Sequence, residues 1–508
     1  MSNDETRTEA TDRKGRRHLL CWLLAIVALL LVVWLIWHFN VDRPVDYAAD
    51  TDHFKYGSIG SEPGGSLLLT VGGLLPPEPI FRVLPKICWD KLPGGYASLG
   101  FIFEKGHDLP IGVSQRFRLG FQQVGLNCAV CHTGTLRATP DGPSQPVLGM
   151  PAHQLALQDF FRFVLDCTLD PRFTADNLLG TMKNEGIDLS PLDKLLYRLA
   201  VIPQTQAKTL ALQRQLALLL GNEVTEWGRG RVDTFNPYKG MQFNWQLDRL
   251  PRNELTASSD FPSLWNQKPR DGMHLHWDGD NDSVDERNRS ASLGAGVTPV
   301  TLDYPRLQRV RNWIWTLPPP PYPFAIDAAR AARGREVYRA NCQQCHADDQ
   351  FKKGIVNGAP LVGTVADIKD IGTDPYRLNS YTYIFASNQY TLYPDSPFRF
   401  THFRKTNGYA NQPLDGIWAR SPYLHNGSVP TLRDLLEPPA ARPKGFYRGS
   451  DVFDQQKVGF VSNVAAANGL RFTWFDTALP ANGNFGHVYG VNLSAEDKDA
   501  IVEFMKSF

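Results

Sequence analysis

The pattern Cys-x-x-Cys-His occurs twice in this chain and restricts what it can fold around more than any other feature. The segment "NCAVCHTG" holds Cys128, Cys131 and His132, and "NCQQCHADD" holds Cys342, Cys345 and His346. Two thiols three positions apart, with an imidazole directly after the second, form thioethers to both vinyl groups of one haem while the histidine takes the iron from the proximal side. Zinc would want two further ligands at short spacing, which neither copy has nearby. A redox dithiol has no need of the adjacent histidine, and two copies argue against a chance match. The spacing predicts two covalently bound haem c groups, attached at Cys128, Cys131, Cys342 and Cys345, with His132 and His346 on the irons.

Haem is attached to cysteines outside the bacterial cytoplasm, so such a chain needs an export signal. The run "LLCWLLAIVALLLVVWLIW", Leu19 to Trp37, is uncharged and apolar, and at about 1.5 Å per residue it is long enough to cross a bilayer as a helix. Arg13, Lys14, Arg16 and Arg17 precede it and mixed charges follow it, so the positive-inside rule keeps the first residues in the cytoplasm. A cleaved signal peptide is the alternative. Against it, the apolar run exceeds the usual about 7–15 residues, and "WHFNVDRP" offers no small-x-small cleavage site. The expectation is a cytoplasmic tail over 1–18, a single-pass inner-membrane anchor over 19–39 and a periplasmic body.

A chain of 508 residues, 42% hydrophobic and 21% charged, is ordinary globular material with room for two or three cores. Its formal net charge of +1 gives no reason to expect nucleic acid as a partner. Of seven cysteines, four belong to the haem motifs and Cys21 lies in the apolar run. Cys88 and Cys167 remain, either as a disulfide in an oxidising compartment or as two unpaired buried thiols.

The run "PPPPYP", 318–323, cannot continue a helix and reads as a stiff linker between an N-terminal haem domain, 40–317, and a C-terminal cytochrome c domain, 324–508. After it, "DAARAARGREVYRANCQQCH" predicts a helix capped by Asp327 that runs into the second motif, with Gly334 and Tyr338 on one face. Ser494 and Asp497 predict the start of a last helix, striped by Ile501, Val502, Phe504, Met505 and Phe508. The two resemble the crossed terminal helices of the cytochrome c fold. In the first domain, Phe117, Phe121 and Val124 suggest a helix leading into the first motif. Leu192 to Leu220 predicts packing helices broken at Pro203. The fold class expected is mainly α: two cytochrome c-like haem domains with long loop-rich insertions behind a transmembrane helix.

The chain resembles the bacterial dihaem cytochrome c peroxidases and their relatives, most closely the dihaem rubber-oxygenase branch. The resemblance rests on "GLNCAVCHTGTLR", "WGRGRVDTFNP", "MHLHWDGDNDSVDERN", "RSPYLHNGSVPTLRDLL" and "GHVYGVNLSAEDKDAIVEFMK". A loop similar to "PYLHNGSVPTL" sits beside the C-terminal haem throughout that superfamily. The resemblance implies one catalytic and one relay haem; likeness of fold does not set the reaction.

The sixth position on each iron decides the chemistry, because two strong protein ligands suit electron transfer and an open face admits peroxide or oxygen. For the second haem the candidates are His402, His425 and His487, since Met505 falls inside the last helix. His487 is the expected ligand: it lies just before that helix, where it resembles the distal histidine of the rubber-oxygenase branch. For the first haem, Met150, His153, His274 and His276 are candidates, and His274 and His276 share a side if the segment is extended. Trp227 and Phe235 are candidate apolar walls of its distal pocket, with His276 as acid/base group and Arg229, Arg231 and Asp233 as a polar shell or propionate ligands. Asp278, Asp280 and Asp282 alternate as calcium ligands do, but they lack the Gly and terminal Glu offsets of an EF-hand, so a solvated acidic loop is the expectation.

Two functions remain open. One is a membrane-anchored periplasmic oxidoreductase whose first haem meets peroxide or oxygen and whose second relays electrons from a periplasmic or membrane partner. The other is a pure electron-transfer cytochrome with two six-coordinate haems.

Overall fold

The computed structural model describes residues 2–65, 70–71 and 73–508; the side chains of residues 2–15, Arg13 and Lys14 among them, and those of residues 65, 70 and 71 lie outside that description. A helix over Ser2–Asn40 leads the chain. Within it, Arg16–Asn40 is long and apolar enough to cross a membrane or to serve as an export signal. Its end is tied to the body: Phe39 packs on Phe121, and Asp42 accepts hydrogen bonds from Arg116 Nε at 2.5 Å and Arg118 Nε at 2.9 Å. About 41% of the residues are helical, so helices dominate without being a majority. The remainder is loops and small sheets, one of three strands and several of two.

Two helical expectations change on inspection of the backbone. The segment leading into the first motif is a hairpin, Val113–Arg118 against Phe121–Leu126. Leu119 and Gly120 at its tip have φ of 58° and 79°, as a two-residue turn matched to strand twist requires. Three apolar residues spaced by four and three cannot separate strand from helix; the turn does. The leucine-rich segment is not broken at Pro203. Helix Pro191–Leu196 passes through a wide turn, Tyr197–Val201, straight into Ile202–Leu220. Ile202 N–H reaches back to Tyr197 O, and this widening accommodates a residue with no N–H to give.

Cys88 and Cys167 form a disulfide that joins the end of helix Glu78–Ile87 to helix Leu157–Thr168. The alternative of two unpaired thiols therefore falls away.

Asp327 caps helix Ala328–Asn341, its Oδ1 accepting from Ala329 N and Arg330 N at 3.0 Å each. This helix crosses the last one, Ala495–Met505. At the crossing a Cβ on Gly334 would stand 1.9 Å from Ala500 O, so backbone meets backbone. One turn on, the Tyr338 ring packs on Phe504 and Phe508. Gly334→Ala should already force the helices apart, at the cost of about 1–3 kcal/mol usual for overpacking. A lowered midpoint in chemical denaturation would register it, and an unchanged midpoint would refute the close crossing. The proline run lies against this core, with Tyr322 edge-on to Trp418. The parts before and after it interlock through a buried ion pair, Arg448 Nη2 to Asp260 Oδ1 at 2.6 Å.

Candidate functional site

The first motif hangs from the end of the hairpin. Asn127 Oδ1 accepts from Ala129 N at 3.0 Å and so shapes the turn Cys128–Val130, while its amide holds Lys55 O and Gly57 O. His132 Nδ1 lies 2.7 Å from Pro262 O, which orients the ring and leaves Nε2 for a metal. Cys128, Cys131 and His132 line a cavity of about 300 Å³. All three are enclosed by protein yet keep some accessible surface, and it faces this cavity. Burial lowers His132 to about 4, so the imidazole is neutral, and pushes Cys128 up to about 11 and Cys131 higher still. Thiols held so high are poor redox nucleophiles; thioethers, which carry no charge, suit the site.

Two helices, Leu157–Thr168 and Ile202–Leu220, give the cavity an apolar limb through Phe161, Val164, Leu216 and Leu219. Trp227 and Phe235 also line it. His276 stands in the polar part of the wall with Nδ1 2.6 Å from Asp280 Oδ1. Asp280 is buried, and burial, opposed by His276, raises its carboxyl pKa. His276 has φ of 60° and Leu275 bridges Asn281. The segment is therefore a tight loop and not extended, and His274 does not share the side of His276: it turns to Gly279 O and lies off the wall.

Other candidates around the first motif are placed elsewhere. Met150 is core, and His153 stacks on Phe460 at 3.7 Å; neither lines the cavity. Arg229 and Arg231 lie off the wall as well. Arg229 donates to Gln154 O, Ser98 O and Arg471 O, and Arg231 to Asn482, Ser258 and Ala481 O. Asp233 reaches the wall, but its carboxylate is taken by Asn236 and Phe235 N. The acidic run is not a solvated loop. Asp278 and Asp280 are buried, because each meets a cationic or imidazole partner of the protein itself, Arg377 and His276. Asp282 meets His402 and Arg404.

The second motif follows helix Ala328–Asn341 without a gap: Cys342 N–H bonds Tyr338 O and His346 N–H bonds Cys342 O. His346 Nδ1 lies 2.8 Å from Gln412 O. Burial raises Cys342 to about 12 and lowers His346. His487, 141 positions on, brings its ring centroid to 6.4 Å from that of His346. Two imidazoles on opposite faces of a metal, each at a metal–nitrogen distance of about 2 Å, have centroids about 6 Å apart. His487 Nδ1 is buried with no hydrogen-bond partner among the described residues. Its backbone is held with φ of 47° by N–H to Ile371 O and by Arg442 on its carbonyl. His425, whose buried Nε2 is likewise without a hydrogen-bond partner among the described residues, stacks on Tyr409 at 3.9 Å, and His402 is half exposed beside Asp282.

Gln412 touches both sites. Its carbonyl takes His346 Nδ1, its Nε2 donates to His276 O at 2.8 Å, and it lines the cavity. Sequence reasoning passed over it, and also over Asp280 as the partner of His276, because neither pairing leaves a local spacing. Neutral imidazoles with one nitrogen oriented, un-ionised thiols at each motif, a cavity at one and a facing unpartnered imidazole at the other all fit a haem at each place.

These features are those of a cytochrome c-like domain, and such a domain implies covalently bound haem c. Residues 408–448 match the family model described as RoxA-like, cytochrome c-like. That stretch includes Gln412, Arg420 and the "PYLHNGSVPTL" loop. The chain is 33% identical to the uncharacterized protein y4iM of Sinorhizobium fredii over 45% of this chain and 56% of that protein, so the match spans little more than half of that relative's length. It is 28% identical to the uncharacterized protein y4iJ of the same organism over 76% of each.

Proposed function

We propose that the chain is an exported, membrane-anchored dihaem c-type cytochrome, an oxidoreductase in which the first site meets peroxide or oxygen and the second relays electrons. The difference between the two sites carries this reading. His346 has an imidazole facing it at 6.4 Å, whereas His132 opens on a cavity with a His–Asp pair in its wall. The apolar helix, with its preceding Arg16 and Arg17, and the disulfide both suit a body in an oxidising compartment.

A bound haem supplies a one-electron redox centre and, where its iron has an open face, a place for a small oxidant. His132 and His346 would hold the two irons, and His487 would close the second. Asp280 fixes His276 with Nδ1 as donor and Nε2 free to take or give a proton in the cavity. Trp227, Phe235 and the leucines of the limb keep bulk water out, and they suit an apolar organic co-substrate. The electrons would come from or pass to a periplasmic or membrane partner at the second site.

Cyanide tests the reading. It should perturb the spectrum of one haem only, the one lost in Cys128→Ala/Cys131→Ala. Two haems inert to cyanide, peroxide and oxygen in every redox state would leave a pure electron carrier. His276→Ala should slow the reaction with peroxide by about 10²–10⁴-fold, the usual worth of positioned acid–base help, with Asp280→Asn moving the same way by less. Stopped-flow rates equal to wild type would remove His276 from the proton chemistry.

A further inference from the structure

Four arginines reach the cavity wall; Arg377 is taken by Asp278, and Arg270, Arg287 and Arg420 have one carboxylate among them. Arg270 Nη2 and Arg420 Nη2 both pair with the same oxygen of Asp415, the latter at 2.8 Å. The other oxygen of that buried carboxylate accepts from Asn266 Nδ2 at 2.9 Å. Arg287 has no carboxylate partner among the described residues. Its Nη2 donates to Gln267 Oε1 at 2.7 Å and Asn288 Oδ1 at 2.8 Å, its Nε reaches the same Asn288 oxygen at 3.3 Å, and its Nη1 makes no hydrogen bond among the described residues. Burial pulls Arg287 and Arg270 down to about 10, so both remain cationic at neutral pH.

The other carboxylates of the wall have hydrogen-bond partners of their own: Asp280 pairs with His276, Asp260 with Arg448, and Asp233 accepts from Asn236 with Lys239 nearby. Asp271 acts on Arg287 only through space, being exposed and accepting from Val284 N. Arg270 and Arg420 therefore share one carboxylate, and Arg287 has none among the described residues. An enclosed charge without a partner is costly, and the fork of a guanidinium matches a carboxylate in two parallel hydrogen bonds. The cluster also has a defined place. Arg287 acts electrostatically on Cys128 and His132, Arg270 on Arg287, and Arg420 on His346.

We infer that Arg287, backed by Arg270 and Arg420, binds the propionate carboxylates of the haem attached at Cys128 and Cys131. This takes the role that the sequence suggested for Arg229 and Arg231. The inference rests on the proposal that the first motif carries a haem. Cations held in a low-dielectric wall favour the reduced iron, so the cluster holds the potential of the first haem up as well as orienting it.

The test uses the full-length protein purified with its haems, in wild-type, Arg287→Gln and Arg287→Lys forms, with haems counted by intact mass. In Arg287→Gln the midpoint of the first haem should fall by the equivalent of at least a tenfold change in its reduction equilibrium, about 59 mV for one electron, while the second haem moves far less. The propionate bending band in the resonance Raman spectrum should shift with it. Arg287→Lys should keep most of the potential and still shift that band, because it preserves the charge but not the fork. It also serves as the test if the glutamine variant does not fold. Two attached haems with an unmoved midpoint and an unmoved propionate band would overturn the inference alone. One haem in the wild-type protein would instead overturn the dihaem reading beneath it.

Discussion

His132→Ala should abolish reaction with peroxide and oxygen while leaving the proposed second haem able to cycle. His132 lies at the cavity with Nδ1 committed to Pro262 O at 2.7 Å. That bond fixes which nitrogen is available and how the ring stands, the part that an orienting partner plays for a metal-binding histidine. An alanine there removes the ligand but spares Cys128 and Cys131, so covalent attachment persists and the loss is one of reactivity. Intact mass and dithionite reduction should show two haems, one of them altered; peroxide turnover should fall to background. If His346→Ala blocked the encounter of the pre-reduced protein with oxidant and His132→Ala did not, the two sites would have exchanged roles.

His487→Ala should change the proposed second haem from low-spin to high-spin or water-ligated and stop electron relay, again without loss of attachment. The centroid separation of 6.4 Å from His346 is what two imidazoles sharing one metal require, and burial lowers His487 to about 3, so the ring is neutral and able to coordinate. Electron paramagnetic resonance of the ferric protein would show the low-spin signal of the second haem replaced in His487→Ala and retained in His425→Ala, whose ring is engaged with Tyr409. The reverse pattern would put the ligand in the "PYLHNGSVPTL" loop. Together, the two variants should separate reaction with oxidant from supply of electrons.

Gly334 and Asp327 show how far local chemistry reaches. A capping carboxylate acts on N–H groups two and three residues on, and a glycine on a helix face permits a close crossing whatever the partner, so both could be read before the partner helix was known. The Cys-x-x-Cys-His motifs are of the same kind, since five consecutive residues contain the attachment chemistry. Phe117, Phe121 and Val124 mark the limit of periodicity, because the positive φ at Leu119 and Gly120 decided for a hairpin. The acidic run marks another: alternate aspartates read as solvated, yet Arg377 lies 99 positions from Asp278 and covers it.

From its sequence alone this chain is a carrier of Cys-x-x-Cys-His sites behind an apolar helix, because those properties depend on residues within a few positions of one another. Only the tertiary structure decided that Cys88 joins Cys167, that His276 leans on Asp280 at a cavity wall, and that Arg287, near Cys128, has no carboxylate partner among the described residues. Each of these is a meeting of side chains or a balance of charge set by packing, and burial gives it its consequence: a neutral imidazole, an un-ionised thiol, a charge that needs a partner. No spacing along the chain encodes them.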